Sequence, residues 1–173
     1  MPLCPQRILC ALCSAYDHRA MSAWADVEAA EPAFAARVWD LFSSHKHHTM
    51  ATLRRDGSPR ISGTEVDFTA EDLFLGMMAG ALRAAELRRD PRVAVHSHTV
   101  DPPEGGESSS SWCGDAKVSG IAYEVQTDDS KDASHRFRID IMEVVHTRLG
   151  VPPDHLVIET WHPGHGLVRI ERR

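Results

Sequence analysis

Apolar and polar residues alternate in short runs after residue 48, and turn residues separate these runs. Such alternation is typical of half-buried strands in an antiparallel sheet. Asp56-Gly57 lies between the first two runs, and Asp-Gly strongly favours a hairpin turn. The clearest strands are predicted at 60–68, 73–77, 93–97 and 115–125. We count about seven strands with few helices, which predicts an antiparallel β-barrel with flanking helices.

Helices are expected where the apolar spacing lengthens from two residues to three or four. Ser22 can cap a short helix over 23–30, and Pro32 suits the first turn of a second helix. Apolar residues then recur at helical spacing: Phe34, Val38, Leu41 and Phe42. A polar stretch predicts a further short helix over about 130–137. Gly120 lies within a predicted strand, which indicates a bulge or a close backbone approach.

Length and charge exclude some classes of protein. The chain has 173 residues, enough for one domain with a core, and we assign that domain to residues 21–173. Its formal net charge of −6 argues against a nucleic-acid-binding protein, which usually carries a basic patch. No run approaches the roughly 18 apolar residues of a membrane span. We therefore expect neither nucleic acid nor membrane as a partner.

The cysteines do not form a recognisable framework. Four are present, at Cys4, Cys10, Cys13 and Cys113, and their spacing predicts no disulfide pattern. A reducing cytoplasm is therefore the expected compartment. We expect residues 1–20 to be a disordered leader, or a product of a misassigned start, without a function of their own. Cys10 and Cys13 could form a redox pair or half a metal site, but no second pair accompanies them.

Three imidazoles occur within residues 45–48, a density that invites a metal interpretation. No carboxylate or cysteine nearby completes a ligand set, so an exposed helix-to-strand junction is the favoured interpretation and no metal is predicted. After residue 100 the chain becomes rich in Pro, Gly and Ser, which predicts a loop up to Trp112. We expect Trp112 to anchor that loop.

The most specific chemistry lies around a short basic helix. Gly80 is placed where a strand gives way to a helix over 81–89. The first turn of a helix offers free backbone N–H groups and the positive end of the dipole. Arg83 lies in that turn, and Arg60 begins a strand expected to run alongside. Two guanidinium groups at this position would suit a phosphate, although the arginines of this helix could instead form a solvated face.

Five blocks in this order resemble the flavin-binding split β-barrel family of the pyridoxamine 5′-phosphate oxidases and the actinobacterial flavin/deazaflavin-dependent oxidoreductases. The blocks are TMATLRRDGSPRIS (49–62), LFLGMMAG (73–80), LRRDPRVAVH (87–96), GDAKVSGIAYEV (114–125) and VIETWHPGHGLVRIERR (157–173). The resemblance implies a mainly β fold, a split antiparallel barrel of about six to seven strands. It also implies a homodimer with FMN at the subunit interface.

The resemblance implies cofactor-binding roles for nine residues: Arg60, Ile61, Ser62, Met77, Met78, Arg83, Lys117, Trp161 and Arg169. The first three match the strand that holds the flavin phosphate and ring atoms. The backbone at the two methionines would line the cofactor. Arg83 matches the family's phosphate-binding lysine.

The remaining carried-over residues have structural alternatives. Lys117 belongs to a strand whose side chains approach the ring, but it could form a surface pair with Asp115. Trp161 and Arg169 match residues that complete the pocket from a neighbouring subunit, but Trp161 could be a core aromatic instead. No nucleophilic Ser, Cys and His set stands out, so no catalytic residue is assigned and any catalysis would be hydride transfer by the cofactor.

Departures from the family narrow the expected function. Glu65 stands near the position where the pyridoxamine-phosphate oxidases carry a cation, and residues 167–171 replace their C-terminal Arg-Leu-His. Vitamin B6 oxidation is therefore not expected. The resemblance favours an FMN-dependent oxidoreductase acting on a small organic substrate. The alternatives are an F420-dependent reductase, or a non-catalytic protein of the same fold that binds flavin, F420 or haem.

Overall fold

The computed structural model describes residues 22–101, 112–126 and 134–173. These residues form three helices: α1 Trp24–Ala30, α2 Pro32–Ser43 and α3 Leu82–Arg89. They also form eight strands: β1 His48–Leu53, β2 Pro59–Phe68, β3 Leu73–Met77, β4 Arg92–His96, β5 Asp115–Val125, β6 His135–Leu149, β7 Leu156–His162 and β8 Gly166–Arg172. The predicted leader, the Cys10–Cys13 pair and most of the predicted loop lie outside the described residues.

The strands form one antiparallel sheet in the order β3-β2-β1-β4-β5-β6-β7-β8, and β3 also pairs with β6. That additional pairing closes β1 to β6 into a six-stranded barrel, and β7 and β8 extend from β6 outside it. The predicted antiparallel barrel with flanking helices is therefore confirmed. The described part of the chain has eight strands where the sequence predicted about seven.

The barrel encloses the apolar face of each strand. Met50, Leu75, Val118 and Ile139 are buried inside it. Alternating neighbours on the same strands are more exposed, as expected for side chains that point to opposite faces. The first two helices add to this core, and the ring of Trp24 packs edge-on against Phe68 at 4.7 Å between centroids.

Local sequence rules explain several element boundaries. Gly57 in the turn between β1 and β2 has a positive φ, which the favoured Asp-Gly turn requires. Pro32 occupies the first turn of α2, as predicted. A register shift between Ser119 and Gly120 forms the predicted bulge. A Cβ atom on Gly120 would lie 2.0 Å from the carbonyl oxygen of Asp140, so this close approach requires glycine.

Two local predictions were wrong. The N-cap of α1 is Ala23 rather than Ser22, and its backbone N–H donates to the Asp26 carboxylate at 2.8 Å. The helix predicted over 130–137 is contradicted from His135, where β6 begins. Phe137 pairs with β3 on one side and β5 on the other, and this two-sided pairing outweighs the local polar character. The predicted helix residues 130–133 lie outside the described range.

Candidate functional site

A groove of about 630 Å³ opens where β2 and β3 pair and α3 begins. We call it the Arg83 groove. Its lining includes Gly63, Glu65, Gly76, Met77, Met78 and Arg83. The volume lies within the range of small-molecule sites, about 300–1,000 Å³.

Two glycines expose the backbone of this groove. Gly63 lies on β2, and Gly76 lies on β3, where it pairs with Glu65. A Cβ atom on either glycine would meet no atom within 4 Å. The face of the sheet here is therefore open to a flat ligand.

Gly80 directs the chain from β3 into α3. Its φ is positive, a conformation that is unfavourable for residues with a side chain. The Ala81 N–H donates to the Met78 carbonyl at 3.2 Å. This turn brings Arg83, in the first turn of α3, over the edge of β2. The sequence feature that predicted a strand-to-helix turn is thus the feature that positions the arginine.

The Arg83 guanidinium is held in place but incompletely hydrogen-bonded. Its Nη1 donates to the Gly63 carbonyl oxygen on β2. Its Nε is buried and has no hydrogen-bond partner. The side chain also forms no ion pair with a described residue, so its positive charge is available to an anion in the groove. Arg83 can therefore hold an anionic group in the groove.

Glu65 supplies the opposing charge. Its carboxylate lies 3.3 Å from Lys46 Nζ and 3.7 Å from His47 Nε2. Both contacts are exposed and therefore contribute little to stability. The Lys46 ammonium group reduces the repulsion that Glu65 would exert on an anion in the groove.

Arg60 lies elsewhere. It lines a second groove, of about 410 Å³, which contains no residue of the Arg83 groove. Its Nε donates to Oε1 of the buried Glu86 at 2.7 Å, and Thr52 Oγ1 donates to Oε2 at 2.8 Å. Burial alone would raise the pKa of Glu86, but these two hydrogen bonds hold that pKa below its usual value. The expected convergence of Arg60 and Arg83 on one spot is not found.

Several solved structures share this barrel, although no family model and no curated protein matches the sequence. A pyridoxamine 5′-phosphate oxidase-related, FMN-binding protein from Nostoc punctiforme superimposes with a TM-score of 0.58 at 10% identity, covering 83% of this chain and 96% of its own. PhzG from Burkholderia lata, in complex with tetrahydrophenazine-1-carboxylic acid, gives a TM-score of 0.58 at 11% identity, covering 83% and 93%.

The chain has the pyridoxamine 5′-phosphate oxidase-like fold. This agrees with the resemblance found in the sequence blocks. At these identities the likeness establishes the fold alone, because one fold supports many reactions. In this pyridoxamine 5′-phosphate oxidase-like barrel, the residues of the groove determine which ligand and which reaction are possible.

The other predicted cofactor residues lie outside the lining of the Arg83 groove. Ile61 and Ser62 lie on β2, and Ile61 is 70% exposed. Lys117 on β5 lies 3.5 Å from Asp115, the surface pair that was the alternative. These assignments remain predictions.

The two C-terminal residues also lie apart from this groove. Trp161 on β7 is only 4% exposed and belongs to the core of this chain, although its Nε1 has no hydrogen-bond partner among the described residues. Arg169 on β8 donates to Glu171 at 2.9 Å. Their predicted role in a neighbouring subunit's pocket also remains a prediction.

One ring of the histidine-rich junction stacks on a histidine that follows β4. His45 stacks on His98 with 4.0 Å between ring centroids. Burial is the main cause that lowers the pKa of His48, and the nearby His98 and His45 lower it further. Among the described residues, no group of three potential ligands could hold a metal ion. None of the helices in the described ranges is long and apolar enough to cross a bilayer.

Sequence reasoning missed two features of the structure. The first is Glu86, whose position between the buried Ala84 and Leu87 on a basic helix could have indicated a buried carboxylate. The second is the partner of Trp112, which was predicted only as an anchor. Its Nε1 donates to the Val100 carbonyl at 2.8 Å and joins the two described ends of the loop.

Proposed function

We propose that the protein binds FMN in the Arg83 groove and acts as an oxidoreductase on a small organic substrate. The observation that carries the proposal is the position of Arg83, which forms no ion pair with a described residue, beside the open sheet face at Gly63 and Gly76. The Nostoc protein of the same fold is described as FMN-binding, which supports the choice of cofactor.

The groove suits FMN in size and composition. Gly63 and Gly76 leave room for a flat ring against the face of the sheet, and Met78, which is 79% exposed, offers an apolar contact. Arg83 would hold the phosphate through charge-assisted hydrogen bonds. When bound, FMN would supply hydride transfer, and the protein would orient it and exclude water.

A homodimer is part of the proposal. Three large apolar side chains near the two grooves are strongly exposed: Ile61 at 70%, Met78 at 79% and Leu82 at 69%. Exposed apolar residues that cluster near a groove are typical of interfaces. A second subunit placed there would bury these side chains and complete the walls of the groove. The cytoplasmic location expected from the cysteine spacing stays a prediction.

Titration with FMN tests the proposal directly. The absorption spectrum of the purified protein would first show whether a flavin or haem co-purifies. Flavin fluorescence would then be followed as FMN is titrated with the wild type, Arg83→Ala and Arg173→Ala, the last removing an equal charge from the exposed C-terminus. We expect Arg83→Ala alone to weaken binding. Equal affinities for all three proteins would remove Arg83 from the site.

Parallel measurements separate the alternatives. Tighter binding of F420 than of FMN would favour an F420-dependent reductase. Binding without turnover, measured with reduced cofactor and a panel of acceptors, would indicate a non-catalytic binding protein. If neither FMN, F420 nor haem binds, the proposed cofactor-binding function is wrong, although the barrel fold is unaffected.

A further inference from the structure

The second groove is lined by four arginines: Arg54, Arg55, Arg60 and Arg89. We call it the arginine groove. Leu82 and Ala85 of α3 form an apolar part of its wall. Four guanidinium groups around one groove are unexpected in a chain whose formal net charge is −6.

The two carboxylates in this groove are already engaged. Both oxygens of Glu86 accept hydrogen bonds, from Arg60 at 2.7 Å and from Thr52 at 2.8 Å. Oδ1 of Asp56 accepts from the backbone N–H and the hydroxyl of Ser58, at 2.9 and 2.6 Å. Four arginines against two carboxylates leave a formal excess of two positive charges.

Three of the arginines form no ion pair with any described residue. Within the described part of the chain, Arg54, Arg55 and Arg89 form no salt bridge, whereas Arg60 pairs with Glu86. Like charges gathered at one place repel each other unless an anion compensates them. Among its lining residues, the groove therefore carries more positive than negative charge.

Backbone contacts hold two of these side chains in position. Arg54 Nη1 donates to the Pro59 carbonyl at 3.1 Å, and Arg89 donates to the Leu53 carbonyl. Carbonyl oxygens fix a guanidinium group without neutralising its charge. A preorganised cation loses less conformational entropy when it binds an anion. The remaining N–H groups are suited to paired oxygens of phosphate or carboxylate.

We propose that the arginine groove binds a small anion carrying two or more negative charges on phosphate or carboxylate oxygens. The proposal does not rest on the FMN site, because the two grooves share no lining residue among those described. In this proposal Arg60 contributes to the arginine groove, which Arg83 does not line.

Calorimetric titration of the full chain with pyrophosphate and with citrate tests this proposal. The wild type should bind at least one of the two, more weakly as salt rises. Arg55→Gln/Arg89→Gln should raise the dissociation constant about tenfold or more, the scale for losing charged hydrogen bonds. Arg172→Gln/Arg173→Gln, with the same loss of charge at the exposed C-terminus, should bind as the wild type does.

A second variant guards against a folding defect. Arg89 contacts the backbone of β1, whereas Arg55 is exposed. Arg55→Glu alone should therefore also weaken binding without lowering the melting temperature. Tighter binding of citrate would show that the groove prefers carboxylate oxygens, and tighter binding of pyrophosphate would show that it prefers phosphate oxygens.

Three results would overturn the proposal. Neither probe binds the wild type, or the arginine variants bind as tightly as the control. Alternatively, Arg83→Gln abolishes binding while Arg55→Gln/Arg89→Gln does not, which would place the anion in the Arg83 groove. Because FMN titration reports on Arg83 separately, failure of either proposal can be distinguished from failure of the other.

Discussion

Nδ1 of His146 lies 3.2 Å from Oε2 of Glu159, and both side chains are buried. Arg37 of α2 donates to the same oxygen at 2.9 Å, and Nε2 of His146 lies 3.0 Å from the Cys113 carbonyl oxygen. These contacts join α2, β6 and β7 to the segment that precedes β5. A polar network thus ties the helical layer to both parts of the sheet.

Removing the charge of Glu159 should destabilise the fold. Glu159→Gln takes a charged acceptor from both Arg37 and His146. We expect a loss of about 2–3 kcal/mol in the free energy of unfolding, the scale for charged hydrogen bonds. Denaturant unfolding measures it. Glu171→Gln is the matched control because Glu171 forms an exposed pair with Arg169, and such pairs contribute about 0–1 kcal/mol. Equal effects of the two changes would contradict the prediction.

The free energy of unfolding should decrease as the pH is lowered into the acid range. Burial alone would raise the pKa of Glu86 and of Glu159, but hydrogen bonds from Thr52 and Arg60, and from His146 and Arg37, lower both. A carboxyl whose pKa is lower in the folded state adds stability above its unfolded pKa, and that stability is lost as pH falls through the folded pKa. For both residues the unfolded pKa is near 4.5.

Denaturant unfolding at pH 7, 5 and 4 checks this sign. The difference in stability between the wild type and Glu86→Gln should be largest at neutral pH and shrink toward acid. A difference that grows as the pH falls would show that the sign is wrong.

Adding one methyl group at the bulge in β5 should destabilise the fold. Gly120→Ala would place a Cβ atom 2.0 Å from the Asp140 carbonyl, so the backbone must shift. We expect a loss of roughly 1–3 kcal/mol, the usual cost of overpacking. Gly76→Ala is the control for stability, since its Cβ would meet no atom within 4 Å.

The same control tests the Arg83 groove. Gly76→Ala should leave the melting temperature nearly unchanged while weakening FMN binding, because its methyl group enters open space in the groove. A well-folded Gly76→Ala protein with unaltered FMN affinity would argue against a ring seated on β3.

Substitution of Arg60 and of Arg83, which the sequence predicts to share one site, should have different effects. Arg83→Ala should weaken FMN binding by roughly 1.5–3 kcal/mol and change stability little. Arg60→Ala leaves the buried Glu86 without its cation, so it should chiefly lower the free energy of unfolding. Paired unfolding and titration curves distinguish these outcomes. Equal losses of affinity would restore the single phosphate site predicted from the sequence.

Much of the fold follows from local sequence rules. The Asp56-Gly57 turn, Pro32 at a helix start and Gly120 at a bulge each depend on residues close together in the chain. Alternation then assigns the strands. The beginning of β6 escaped prediction because its conformation depends on partners in β3 and β5, and strand preference is decided by such pairing more than by local composition.

The site was harder to predict for the same reason. Arg60 and Glu86 are 26 residues apart, and nothing local indicates that one neutralises the other. Gly80 and Arg83 were placed correctly because a strand-to-helix turn is encoded within a few residues. Sequence patterns located the cations, but side-chain pairing between elements decided which of them remain available to a ligand.

Strand β6 is a common member of the barrel and of the β7–β8 extension, with β3, β5 and β7 all bonded along its 15 residues. Loss of β7 and β8 would leave residues 144–149 of β6 without a partner on one side and would remove Trp161 from the core. We expect the barrel and the extension to unfold in a single step, with the amides in the middle of β6 exchanging with solvent last. Closure of the barrel also requires β6, because β3 pairs with this strand far downstream in the chain. Such a distant pairing carries a large entropic cost, which places the final closure late in folding.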